Sequence, residues 1–470
     1  MIGRIFASDR QDAVAVITDS PWSTVTYGQL AARVQAWRGV FLNLSRPALG
    51  WIQCENTLGC LCAYLAALAE RVPVGLADAG SERSGDFVRS YGPSFVVQPA
   101  GRPIPAGYRL HWTSAEGEVV LLPETGAAYG LAPAPDLALL LTTSGSTGNA
   151  RLVRLSTRNL QANASAIAEY LALGPGEISV QGLPLHYAYG LSLVNSHLWA
   201  GGTVALTGRS FLSEEFWGFF DRAKCTSFAG VPYAYETLRR LRWRPDRHPS
   251  LRVLTQAGGH LPPEIIREFH AATRASGRDF FVMYGQTEAT ARIAYVPPSR
   301  LEGKAGTIGI PLPRGQLELR GVDGGPLQEL VYRGANVMLG YATGPQDLGL
   351  ADSLHGVLRT GDLAEVDSDG FYRITGRLAR FAKLFGRRIQ LEDVESRVES
   401  LLGRRAAAVE GSGCVGVFVE GAAPDELVRA QAGLADFLAL PPTAVRLVAL
   451  AAIPCTAAGK KQYPALPPLC

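Results

Sequence analysis

The sequence is short of lysine. Of its 45 basic residues only Lys224, Lys304, Lys383, Lys460 and Lys461 are lysines, so arginine carries nearly all the positive charge and each lysine draws notice. Charge of one sign is also lacking: 45 basic residues stand against 42 acidic ones, the formal net charge is +3, and no block of like charges occurs. That excludes the basic footprint of a nucleic-acid-binding chain and leaves a small molecule as the expected partner. No uninterrupted apolar run approaches the ~18 residues a membrane span needs. Residues 1–20 have no long apolar stretch and no small-residue cleavage site, so the chain is expected to be cytoplasmic. Seven cysteines, an odd number, show no paired metal spacing, and buried reduced thiols are expected rather than disulfides or a metal site. Internal repeats and low-complexity tracts are missing too.

What the chain does have is alternation. A length of 470 residues, 47% of them hydrophobic, exceeds the roughly 250–300 at which one core stops growing, so at least two domains are expected. Short β-branched runs such as "AVAVITD", "LGWIQC", "VPVGLAD", "SFVVQP", "LALLLTTS", "ISVQGLPL", "LRVLTQAGG" and "FFVMYGQTE" are interleaved with helix-like "TYGQLAARVQAW", "LCAYLAALAER" and "PEIIREFHAATRASG". Strands separated by helices imply sheets with crossover helices on both faces. From about 301 to 375 the texture turns Gly-rich and hairpin-like, and a last segment of about 90 residues carries "LEDVESRVESLL" as its clearest helix.

Between the strand candidate at 137–142 and the basic stretch beyond it lies "TTSGSTG", Thr142 to Gly148, in which hydroxyls and glycines follow one another without a break. Glycine permits turns that aim successive backbone N–H groups at one point, and the hydroxyls add donors around it. The result suits an anion with many oxygens. It is neither a Walker A loop nor a G-x-G-x-x-G turn.

Three further stretches bear on it. "MYGQTEAT" puts an aromatic ring, a glycine, a hydroxyl and a carboxylate at the end of an apolar strand, where ligands of open α/β sheets gather. "LRTGDLAEVDSDGFYRITGR" carries Asp362 in a tight Gly-Asp turn with Arg377 further on, and "IPCTAAGKKQY" sets Lys460 beside a glycine in a loop of small residues.

Together and in this order these motifs resemble the adenylate-forming superfamily, which includes acyl- and aryl-CoA synthetases, the adenylation domains of nonribosomal peptide synthetases, and luciferase; the stand-alone acyl and aryl acid ligases are the most similar. "QAGGHLPPE" at 256–264 and "ELVYRGANVMLGYA" at 329–342 are similar to further segments of that family. The resemblance implies an α/β fold: a large N-terminal domain of doubly wound sheets with a β-rich subdomain, residues 1–377, and a small mobile α+β domain, 378–470. It also implies a two-step reaction in which a carboxylate attacks the α-phosphate of MgATP, releasing pyrophosphate, and a thiol then takes the acyl group from the acyl-adenylate. The thiol belongs to CoA or to the phosphopantetheine of an acyl carrier protein.

By the same resemblance Thr143, Ser144, Gly145, Ser146, Thr147 and Gly148 hold the β- and γ-phosphates, with Arg151 keeping a charge nearby. Thr287 contacts the α-phosphate and Glu288 holds Mg²⁺, within the ATP-binding run Tyr284, Gly285, Gln286, Thr287. Tyr284 lies against adenine, Gly258 and Gly259 leave room for the base, and Asp362 accepts from the ribose hydroxyls with Arg377 close by. Lys460 bridges the attacking carboxylate and the phosphate, where a compact charge on a flexible stem serves well. The substrate wall is expected at His186, Tyr187, Tyr189, Ala257, Gly258, Met283 and Ala291. No carboxylate stands in "PLHYAYGLS" to meet an α-ammonium, and an unpaired buried charge costs several kcal/mol, so a fatty or aromatic acid is expected rather than an amino acid.

The chain also departs from the family. The phosphate loop continues Asn149, Ala150, Arg151, Leu152 where the family has Lys-Pro-Lys-Gly; the hinge reads Ala379 and Arg380 where aspartate is usual; and Tyr463 stands in place of a trailing arginine. These departures keep open an alternative, a nucleotide-binding regulator or scaffold of the same fold that has lost turnover.

Overall fold

The structure is a computed structural model, and it describes residues 1–470 except 46, 126–131, 143–150, 323–326, 379, 385–386, 412, 439, 456–460 and 470; within helices and strands the side chains of residues 82, 83, 381, 383, 387, 388 and 390 are also left aside. Its contacts divide the chain into two compact units. The first comprises Met1–Ser144, Asn149–Gln316 and Tyr332–Leu358.

Two sheets organise the first unit among the described residues. The larger runs Ile310–Pro311, Ala294–Val296, Asp279–Tyr284, Val253–Gln256, Ser227–Gly230, Ile178–Gln181, Thr203–Leu206, Val14–Thr18, Ser23–Thr26. Its central ladder is parallel, from Asp279–Tyr284 across to Val14–Thr18. Parallel neighbours need crossovers, and helices Ala188–Ala200, Glu214–Arg222, Pro232–Arg240 and Pro263–Ala275 supply them. The second sheet centres on Gly50–Cys54, Val74–Asp78 and Leu137–Thr142, also parallel, and ends in the hairpin Tyr108–Thr113 and Glu118–Pro123. The sequence texture did not mark that hairpin.

Local chemistry explains the helix starts. Thr26 and Gln29 form a reciprocal capping box at the head of Tyr27–Leu42, and Ser156 and Asn159 form another at Thr157–Tyr170. Helix Ala188–Ala200 is different, with every residue from Ala188 to Leu198 buried, so it presents no apolar stripe to read.

The second unit holds Leu317–Val331 and Arg359–Cys470. A four-stranded sheet in the order Gln316–Gly321, Gln328–Arg333, Val357–Val366, Tyr372–Arg377 lies mostly within it. Helices Leu391–Leu402 and Pro424–Leu438 pack with a sheet of Ala406–Gly411, Cys414–Glu420 and Val445–Leu450 around an apolar core that includes Val394, Val417 and Leu434.

Cys54, Cys60, Cys62 and Cys225 are buried, whereas Cys414 and Cys455 are only half-buried; all six are unbridged, and burial pushes the Cys60 thiol up to about 12. Among the described residues no helix is long and apolar enough to cross a membrane.

Candidate active site

Strand Asp279–Tyr284 delivers its last residue into a turn that the chain holds under strain. Gln286 Nε2 donates to the Tyr284 hydroxyl at 3.2 Å, and Thr287–Ala289 form a single 3-10 turn. Thr290 and Ala291 then take left-handed φ values of 56° and 98°, each costing on the order of 1–3 kcal/mol for a residue with a Cβ. Surrounding bonds over-determine this shape. Thr290 Oγ1 donates to the Asn336 carbonyl at 2.6 Å, while Asn336 Nδ2 donates to the carbonyls of Ala289 at 2.8 Å and Arg292 at 2.9 Å. A Cβ on Gly285 would fall 1.7 Å from the Ala291 carbonyl oxygen, so only glycine closes the turn.

Glu288 sits half-buried in that turn. Its Oε1 accepts a hydrogen bond from the Tyr341 hydroxyl at 2.8 Å, and its backbone carbonyl accepts from the Met338 N–H at 2.9 Å. Burial, and then the Glu288 charge, push the Tyr341 phenol up, so it remains a donor. The Arg151 guanidinium lies over the Tyr341 ring, 4.5 Å from its centroid. Sequence reading named Arg151 and Glu288 but not the tyrosine that joins them; the only hint was its place in the "LGYA" segment. Among the described residues no group of three or more His, Cys, Asp or Glu could hold a metal. One oriented carboxylate fits Mg²⁺, which commonly takes one or two carboxylates and completes its shell with phosphate oxygens and water.

Of the residues expected to form the substrate wall, four come together, and Ala291 and His186 stand outside that group. Tyr187, Tyr189, Ala257 and Met283 share one apolar cluster with Phe281 and Tyr170; Ala291 is buried in the adjoining core. Asn56 Nδ2 donates to the carbonyls of Gln181 at 2.9 Å and Leu183 at 3.2 Å and so fixes the loop leading to Tyr187. The Tyr189 hydroxyl reaches Thr255 Oγ1 at 2.9 Å. Gly258, at φ +90°, is pressed against this wall, because a Cβ there would lie 2.5 Å from the Tyr187 hydroxyl. The Gly259 carbonyl accepts from Gln256 Nε2 at 2.9 Å, and a Cβ at Gly259 would meet Pro232 Cγ at 3.1 Å. His186 is half-buried; burial lowers its pKa and the Asp78 charge opposes that. One residue here escaped the sequence reading: Arg292, fully buried, with its guanidinium 4.0 Å from the centroid of the Tyr189 ring.

In the second unit Asp362 and Arg377 are direct cross-strand partners, with Arg377 Nε 2.7 Å from Asp362 Oδ1 and the Asp362 side chain buried. The expected tight turn is not there: Asp362 lies within strand Val357–Val366, and the preceding Gly361, at φ +71°, supplies the local kink that resembles a turn in sequence. Two of the departures noted above meet in the same unit. Arg380 stacks on the Tyr463 ring at 3.7 Å and donates to its hydroxyl at 2.8 Å, to Glu392 at 3.1 Å and to Glu395 at 2.8 Å. Lys461 Nζ donates to Glu395 at 2.9 Å and Glu399 at 3.0 Å. Thr143, Ser144, Gly145, Ser146, Thr147, Gly148 and Lys460 lie outside the described residues.

Residues 4–342 match the family of AMP-binding enzymes. A sulfoacetate–CoA ligase of Cupriavidus necator is 33% identical over 290 residues, covering 59% of this chain and 55% of that protein. A feruloyl-CoA synthase of Amycolatopsis is 30% identical over 284 residues, covering 59% and 56%. The chain thus spans about half the length of the curated relatives it matches. In fold it is similar to an O-succinylbenzoate coenzyme A synthetase from Bacillus subtilis in complex with AMP, with a TM-score of 0.79 at 21% identity over 99% of this chain and 98% of that one. With the matched segment taking in both large sheets, the strained turn and Tyr341, the chain belongs to the AMP-binding enzyme family.

Proposed function

We propose that the chain is an AMP-forming acid–thiol ligase: it activates a carboxylic acid with ATP, releases pyrophosphate and passes the acyl group to a thiol. The observation that carries this is the turn of residues 284–291, which fixes Glu288 through Tyr341 and grows from the strand whose Met283 packs with Tyr187, Tyr189 and Ala257. A carboxylate is already an adequate nucleophile, so the chemistry rests on positioning and on charge stabilisation rather than on an activated serine or cysteine.

In this reading the segment Thr143–Gly148 and Arg151 hold the β- and γ-phosphates, Thr287 contacts the α-phosphate, and Tyr284, Gly258 and Gly259 take the adenine. Asp362, oriented by Arg377, accepts from the ribose hydroxyls. Glu288 would hold Mg²⁺, which when bound neutralises phosphate charge. Lys460 steers the attacking carboxylate. The functional division is 1–377 for nucleotide and acid and 378–470 for the lysine.

The aromatic and aliphatic wall favours an acid with an apolar body, fatty or aromatic. An α-ammonium is disfavoured twice over, by the lack of a carboxylate in the 184–192 segment and by the Arg292 charge against Tyr189. The thiol is that of CoA, in line with relatives named as CoA ligases; a carrier-protein arm has the same terminal chemistry, and transfer assays offering both decide. Lys460→Ala is expected to lower acyl-adenylate formation by on the order of 10²–10³ while sparing thioester formation from supplied acyl-adenylate. Equal loss in both half-reactions would remove Lys460 from this role.

A further inference from the structure

We propose that Arg292 is a specificity residue that pairs with a second anionic group, a carboxylate or sulfonate, on the acid being activated; this rests on the ligase reading above. The starting point is an unmatched charge. Arg292 is 0% exposed, its Nε, Nη1 and Nη2 meet no carboxylate or backbone oxygen among the described residues, and its side-chain hydrogen-bonding neighbour is the neutral Tyr170 hydroxyl. Guanidinium does not shed its proton in proteins and carries five N–H donors, so one phenol oxygen leaves most of those donors, and the charge itself, unmatched.

The surroundings are aromatic rings. The guanidinium lies over Tyr189, and its charge acts against the burial that pushes up the phenols of Tyr170, Tyr187 and Tyr189. Tyr170 stands near enough for its hydroxyl oxygen to accept from Arg292, while the same hydroxyl gives its own proton to Met283 Sδ at 2.8 Å. A second buried arginine in the same unit makes the contrast. Arg154, 1% exposed, donates to the carbonyls of Leu339, Tyr341 and Ala351, each at 3.2 Å, and to that of Leu350. Where this fold buries an arginine for structure alone, backbone oxygens surround it; at Arg292 they do not.

Nor is the position incidental. The left-handed pair Thr290 and Ala291 turns the chain just before Arg292, and the Arg292 carbonyl is tied down by Asn336 at 2.9 Å and Asn163 at 3.2 Å. A locked backbone therefore sets a charged fork against the wall assigned to the acid. In the ligase reading Lys460 serves the carboxylate that reacts, which leaves Arg292 for a different anion. A planar guanidinium suits the two oxygens of a carboxylate or sulfonate in bidentate fashion.

The test is wild-type pyrophosphate exchange with acids paired by size: straight-chain and aryl dicarboxylic acids and sulfonated carboxylic acids, each against the monocarboxylic acid that lacks the second anion. We expect kcat/KM to favour the dianionic partner by about 100-fold or more, because a buried donor set left unpaired penalises the shorter ligand. The dicarboxylic and sulfonated arms show which anion is taken. Arg292→Met should reverse the preference, raising KM for the dianionic acid and lowering it for its partner, whereas Arg292→Lys keeps the order with a smaller ratio; a merely structural role would lower both acids alike. Exchange with monocarboxylic acids and no gain from the second anion overturns the proposal and leaves the ligase reading standing. Exchange with no acid at all takes down that reading, and the proposal with it.

Discussion

At the scale of single residues the site depends on which groups orient which. Tyr341 touches Glu288 from 53 residues away, and removing a hydrogen bond to a metal-holding carboxylate typically costs 10–100-fold in affinity or activity. Tyr341→Phe is therefore expected to raise the Mg²⁺ concentration giving half-maximal pyrophosphate exchange by about 10-fold, with the unfolding temperature unchanged; an unaltered Mg²⁺ requirement would show that the tyrosine does not orient Glu288. Glu288 stood out in the sequence because a hydroxyl, a glycine and an aromatic crowd around it within five positions. Tyr341 and Arg292 were not. The first acquires its role only through a long-range contact, and the second, between an alanine and an isoleucine, reads as an ordinary surface arginine until the strained turn is seen to drive it inward.

Among elements, strands announced themselves by β-branched runs and several helices by the spacing of their apolar residues, whereas helix Ala188–Ala200 did not, because burial on all sides erases the periodic signal. That burial has a consequence for acid stability. His197 is fully enclosed, its Nδ1 paired with the Leu193 carbonyl at 2.9 Å, and burial holds its pKa below the ordinary 6.5. A base depressed in the folded state favours folding above its unfolded pKa and loses that contribution as pH falls through and below 6.5. His197→Gln should accordingly show a smaller drop in Tm than the wild type between about pH 7.5 and about pH 5, measured by thermal melts; an identical drop would assign the acid sensitivity elsewhere. In the second unit Arg380 and Tyr463 looked like two separate departures in sequence, and they turn out to be partners. A double-mutant cycle on Arg380→Ala and Tyr463→Leu, read by denaturant unfolding, should give a coupling of about 1 kcal/mol; strict additivity would mean that the stacking at 3.7 Å contributes nothing.

For the whole molecule, the alternation of strands and helices conveyed the α/β class and the parallel sheets, because parallel neighbours require crossovers. It did not convey strand order, in which Val14–Thr18 pairs with Thr203–Leu206 across nearly two hundred residues, since that is decided by packing between distant segments. Nor did it place the β-rich stretch. Contacts group Leu317–Val331 and Arg359–Cys470 into one unit, a link between segments that no local pattern carries. The central proposal is that the chain binds ATP and a carboxylic acid so that the acid's oxygen displaces pyrophosphate from the α-phosphorus. The most direct measurement is exchange of labelled pyrophosphate into ATP by the purified full chain with Mg²⁺ and a broad panel of fatty, aryl, dicarboxylic and amino acids. The account predicts exchange that requires a carboxylic acid, with amino acids inactive. Retention of ATP or AMP with no acid-dependent exchange across the panel would contradict it and return the chain to a nucleotide-binding scaffold.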